Sequence, residues 1–121
     1  MAARTDLALE AKALWERSAG KTSALPGVKA RSETRDGTRL ETVEILNEEG
    51  SRALGKPVGR YLSLELPADG RAGPEFVSLL GRELRTLLDC GTESGVLVVG
   101  LGNRAMTPDA LGPMTADGVL V

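Results

Sequence analysis

Four consecutive apolar residues, Val96-Leu97-Val98-Val99, run straight into Gly100-Leu101-Gly102-Asn103, and nothing else in the chain constrains its fold as strongly. A run that is apolar on both faces suits a strand buried between two layers, and such strands belong to parallel sheets covered by helices. Thr107-Pro108-Asp109 then reads as a helix start, with Thr107 as N-cap and Pro108 in the first turn. Upstream, Pro74 stands where a first helical residue belongs, and Phe76, Leu79, Leu80, Leu84, Leu87 and Leu88 recur at helical spacing. Helix, buried strand, glycine loop and helix in that order predict an α/β fold with a mixed, largely parallel sheet and flanking helices.

Residues 1–6 form a short polar lead, and Thr5 or Asp6 caps a helix over Leu7–Arg17 with Leu7, Ala11, Leu14 and Trp15 on one face. Ser18–Gly27 is a loop by its Gly, Ser and Pro content. Val28–Thr34 and Thr38–Leu46 flank Asp36-Gly37, a hairpin signal whose imperfect alternation predicts an edge hairpin rather than a central ladder. Asn47–Leu54 reads as a short helix closed by Gly55 and Pro57, and Arg60–Leu66 as a strand in which Leu62, Leu64 and Leu66 alternate with Tyr61, Ser63 and Glu65. The last residues, Gly118-Val119-Leu120-Val121, stop in apolar sequence with no polar tail. Residues 7–121 are therefore expected to be the N-terminal portion of a single domain, truncated at its C-terminus, with apolar faces on the Arg60 strand and the final helix that await the rest.

Composition removes whole classes of chemistry. With 15 Lys+Arg against 17 Asp+Glu in 121 residues, the formal charge of −2 supplies no basic field for a nucleic-acid backbone. Three aromatics, Trp15, Tyr61 and Phe76, make no base-stacking platform. The absence of histidine excludes Ser-His-Asp or Cys-His machinery and His-ligated metal built from this chain alone. A single cysteine, Cys90, forms no internal disulfide and reads as a small, partly buried thiol suited to a reducing compartment. No apolar run approaches the roughly 20 residues of a membrane span, and Met1–Glu10 lacks the apolar core of a secretory signal. The expectation is a cytoplasmic chain with no membrane and no nucleic-acid partner. The mixed charges between Arg31 and Glu44 solvate the hairpin.

Gly100 to Pro113 (GLGNRAMTPDALGP) occupies the place where open α/β sheets carry their sites, beyond the carboxyl end of a strand. Asp109, in the first turn of the following helix, sits where the dipole stabilises an ionised carboxylate. Three readings stand side by side. Asp109 supports the helix start; or Gly100-Leu101-Gly102-Asn103-Arg104-Ala105 is a dinucleotide fingerprint of the G-x-G-x-x-G/A type; or Asp109 is a hydrolytic carboxylate. The second is disfavoured because Thr107-Pro108 starts the helix later than that fingerprint requires.

Four blocks carry a resemblance: Arg4-Thr5-Asp6-Leu7-Ala8, Gly59-Arg60-Tyr61-Leu62-Ser63-Leu64-Glu65, Val98-Val99-Gly100-Leu101-Gly102-Asn103, and Thr107-Pro108-Asp109-Ala110-Leu111-Gly112-Pro113-Met114. In this order they resemble the spore germination protease family, whose members degrade small acid-soluble spore proteins when an endospore germinates, and they span roughly its N-terminal third. Where the family usually carries Trp-Asn after the glycine loop, this chain carries Arg104-Ala105. The resemblance implies a phosphorylase/hydrolase-like fold shared with hydrogenase maturation peptidases, and an atypical aspartic-type endopeptidase. By it, Asp109 is the first catalytic acid, a buried one, and Gly100, Gly102, Asn103, Thr107 and Pro108 form its loop. The second acid lies downstream in a motif absent from these residues, so the fragment alone is expected to be inactive.

Further implications are a zymogen that trims its own propeptide at Asp6–Leu7, a tetrameric assembly, spore proteins as substrate, no cofactor and no metal, and a forespore or spore-core location. The alternatives are a maturation-type peptidase using Asp109 as a metal ligand, and a non-catalytic assembly or regulatory fragment.

Overall fold

The computed structural model describes residues 7–19, 25–89, 91 and 93–120, which fall into two compact units, Met1–Leu88 and Asp89–Val121. The first unit contains α1 (Ala8–Ala19), β1 (Val28–Arg35), β2 (Thr38–Ile45), α2 (Glu48–Leu54), β3 (Gly59–Leu64) and α3 (Pro74–Leu88). The second contains a 3-10 turn, Thr107–Asp109, followed by α4 (Leu111–Asp117).

Asp36 and Gly37 join β1 to β2 with φ of 49° and 76°. Both central residues are left-handed, as the mirror-image two-residue turn requires, and its twist matches that of the strands. The turn fixes the register from Arg35↔Thr38 to Val28↔Ile45, and β3 adds antiparallel on the far side, from Leu40↔Leu64 to Ile45↔Gly59. The sheet order is thus β1-β2-β3, with β2 in the centre.

Strand alternation then divides the buried residues between two faces. Val43 and Ile45 face one side with Val28 and Tyr61, where Ala8, Leu25 and Leu54 complete the core and Leu9, Ala11 and Ala53 pack against it. Leu40 faces the other side, as do Arg35 and Arg60 by register. Here α3 is held: Arg35 Nη1 lies 3.1 Å from Glu83 Oε1, and Arg60 Nη2 donates to Thr86 Oγ1 at 3.3 Å. Leu79 of α3 is wholly buried. Full burial of side chains such as Leu40, Val43, Ile45 and Leu79 contributes about 1.5–3 kcal/mol each.

Between β2 and β3 the chain turns through α2. Asn47 accepts the Gly50 N–H at 3.1 Å on its side-chain oxygen, and Gly55, at φ 65°, ends the helix in the left-handed conformation that glycine adopts without strain. Among the described residues no helix is long and apolar enough to cross a membrane.

Several expectations need correction. The sheet is small and wholly antiparallel, not mixed and largely parallel, so the phosphorylase/hydrolase-like, maturation-peptidase-like fold is not supported. The cause is local: a two-residue Asp-Gly connection can only return the chain antiparallel, whereas a parallel neighbour needs a long crossover. Val96–Val99 joins no strand pairing among the described residues and is exposed, with Leu97 at 86 %. Apolarity on both faces states what a strand needs if it finds neighbours; it does not supply them. The hairpin is also not confined to an edge, since β2 is paired on both sides. Met106, not Thr107, precedes the 3-10 turn, and no side chain caps it. Cys90, Thr5 and Asp6 lie outside the described residues.

Candidate functional site

The site is built from the second unit, where glycines let two stretches of backbone touch. Gly100 lies against Gly112: a Cβ on Gly100 would stand 2.6 Å from the Gly112 carbonyl carbon, and one on Gly112 would stand 2.8 Å from the Leu101 nitrogen. Gly102 has φ 145° and lies against Asp109, whose carbonyl carbon would be 3.1 Å from an added Cβ. Real Cβ atoms do not come as close to backbone as they would at Gly100 and Gly112, and at Gly102 the Asp109 carbonyl oxygen stands nearer than its carbon, so all three positions hold glycine because nothing else leaves room.

Between Gly102 and Asp109 the chain closes on itself. Asn103 N–H donates to the Asp109 carbonyl at 2.9 Å, Met106 N–H donates to the Asn103 carbonyl at 3.1 Å, and Asp109 N–H donates to the Met106 carbonyl at 2.9 Å. The Asn103 side-chain oxygen takes the Ala105 N–H at 2.9 Å. Asp109 is therefore fixed through both of its backbone polar groups. Its side chain is exposed rather than buried, and among the described residues it makes no hydrogen bond or ion pair.

Arg104 straps this loop to the end of α4. Its two terminal nitrogens meet the two carboxylate oxygens of Asp117 at 2.6 and 2.7 Å, a fork-to-fork pair. The hydrogen bond from Arg104 holds the Asp117 carboxyl below the ordinary aspartate range.

The predicted loop residues are thus found together. Gly102 and Asn103 meet the backbone of Asp109, Gly100 lies further along against Gly112, and Thr107 and Pro108 form the exposed turn that leads into Asp109, Thr107 accepting the Ala110 N–H at 3.4 Å. Asp109 is the last residue of that 3-10 turn and not part of an α-helical first turn. Because α4 begins only at Leu111, the glycines do not open a helix as a dinucleotide fingerprint must. Gly112 and the Arg104–Asp117 strap were missed by sequence reasoning. Gly112 had a visible signal, a third glycine in the loop, but opposite charges thirteen residues apart carry none.

Of the predicted processing bond only Leu7 is described. It precedes α1, is exposed, and its carbonyl accepts the Ala11 N–H at 3.1 Å. Among the described residues no group of three or more His, Cys, Asp or Glu side chains gathers to hold a metal ion. A single carboxylate on a fixed backbone can take up or release a proton, which is general acid–base chemistry if a second group shares the work.

The family model described as "Germination protease" matches residues 5–121. The chain is similar to a germination protease of Caldanaerobacter subterraneus subsp. tengcongensis, at 41 % identity over 98 % of this chain and 36 % of that protein. It is similar also to germination proteases of Clostridium tetani, at 36 % identity over 100 % of this chain and 38 % of the relative, and of Bacillus licheniformis, at 36 % identity over 99 % and 34 %. The chain spans about a third of the length of these relatives.

Proposed function

The chain belongs to the germination protease family, and from that premise we propose that it forms part of an endopeptidase that begins the breakdown of small acid-soluble spore proteins during germination. The peptidase is of aspartic type. Asp109 is one of two carboxylates that share the proton work: one takes a proton from water, whose oxygen adds to the scissile carbonyl carbon, and the other gives its proton to the carbonyl oxygen or the leaving nitrogen. By the resemblance, the second carboxylate lies downstream of residues 1–121, so these residues alone are inert.

The same reading makes the protein a self-processing zymogen cut at Asp6–Leu7, assembled as a homotetramer and held in the forespore or spore core. The observation that supports it is the double anchoring of Asp109 inside a glycine-backed loop, within the residues that the family model matches. Catalytic acids need that kind of fixed placement.

The test is Asp109→Asn in the intact protein. Cleavage of spore proteins and self-processing should fall by about 100-fold or more, the usual worth of a positioned acid or base. Unaltered rates of both would end the reading. Asp6→Lys should block maturation; trimming at the same bond would remove that part alone.

A further inference from the structure

We propose that Asn103 is the positioning residue for Asp109, setting where its carboxylate stands without touching substrate. This rests on the proteolytic reading above and adds to it the residue that aims the acid.

The exposed carboxylate of Asp109 has no side-chain partner among the described residues, so the fold places it only through the backbone it hangs from. That backbone is held by a ring of hydrogen bonds that begins and ends on Asn103: Asn103 N–H to Asp109 carbonyl, Met106 N–H to Asn103 carbonyl, Asp109 N–H to Met106 carbonyl. The Asn103 side chain makes the ring possible. By taking the Ala105 N–H at 2.9 Å it bends the chain over Arg104 and Ala105, which turns Met106 back toward the Asn103 carbonyl.

Gly102 backs the ring from outside, lying against the Asp109 carbonyl that Asn103 holds. The ring therefore has one adjustable component, the Asn103 amide oxygen. Aspartate offers an oxygen in the same place and should serve; alanine offers none.

The experiment compares Asn103→Ala and Asn103→Asp in the intact protein, by kinetics on spore-protein substrate and by hydrogen exchange of the peptide spanning residues 103–110. For Asn103→Ala, kcat should fall about 10- to 100-fold, the cost of a misplacement near 1 Å, with KM unchanged within about twofold. Exchange of the Ala105, Met106 and Asp109 amides should quicken about fivefold, matching the loss of one hydrogen bond. Asn103→Asp should restore most of kcat and the slow exchange.

Unchanged exchange in Asn103→Ala overturns the proposal whatever the activity. So does a rise in KM with kcat preserved, which would mark a substrate contact, or an Asn103→Asp protein as impaired as the alanine variant. A wild-type protein that cleaves no spore protein would sink the proteolytic reading instead, while the exchange measurement still decides the ring.

Discussion

Arg35, the last residue of β1, reaches Glu83 of α3 with 3.1 Å between guanidinium nitrogen and carboxylate oxygen, while its second terminal nitrogen holds Glu33 at 2.8 Å. The Glu83 carboxylate is nearly buried, at 10 % exposure. Removing the arginine strands that carboxylate, and a half-exposed cation limits what the pair was worth. Arg35→Ala should therefore destabilise the fold by about 1–2 kcal/mol, read from the denaturant midpoint. Arg35→Ala with Glu83→Gln should recover part of the loss.

The turn between β1 and β2 gives a second expectation. Gly37 sits at φ 76°, where a Cβ meets its own backbone although the surrounding space is open. Gly37→Ala should cost about 1–2 kcal/mol, the price of a left-handed alanine. Gly37→Asn should cost less, because asparagine tolerates that region, and thermal unfolding of the two variants distinguishes them.

Asn47 caps α2 through one hydrogen bond to the Gly50 N–H. Asn47→Ala should lower stability by about 1 kcal/mol, whereas Asn47→Asp should be close to neutral because a carboxylate caps equally well. Equal losses in both variants, measured by chemical denaturation, would show that the cap contributes nothing.

The strap between Arg104 and Asp117 is pH-dependent with a definite sign. The Asp117 carboxyl is held below its ordinary range when folded, so the stabilisation is present above the unfolded value, roughly 4, and is lost as pH falls through the lower folded value. Hydrogen exchange in residues 100–118 should quicken across that acid window in the wild type and show no such step in Asp117→Asn. Both side chains are exposed, so high salt should mimic part of the effect at neutral pH.

Much of the first unit was legible because its signals are local. Asp36-Gly37 specifies its own turn, Asn47 and Gly55 bracket α2, and Pro74 starts α3, each through chemistry contained within a few residues. The pairing of strands was not legible in the same way. Val96–Val99 has the composition of a central strand, yet pairing depends on distant backbone that composition does not describe. At the candidate site, the glycines and Asn103 were visible as a loop, but which backbone groups the Asn103 turn would bring together, down to its own N–H on the Asp109 carbonyl, depends on the path of the six residues that follow, which no single side chain specifies. The exposure of Asp109 likewise depends on what surrounds it, which its neighbours in sequence do not determine.

Gly100 and Gly112 touch through bare main chain, and this has a consequence for how the segment tolerates genetic change. Inheritance there is governed by volume: a single methyl group at either position drives two strands of the loop apart, whatever its polarity. In a saturation library, the columns for these two residues should be nearly empty, while the exposed neighbour Leu101 accepts a wide range of replacements.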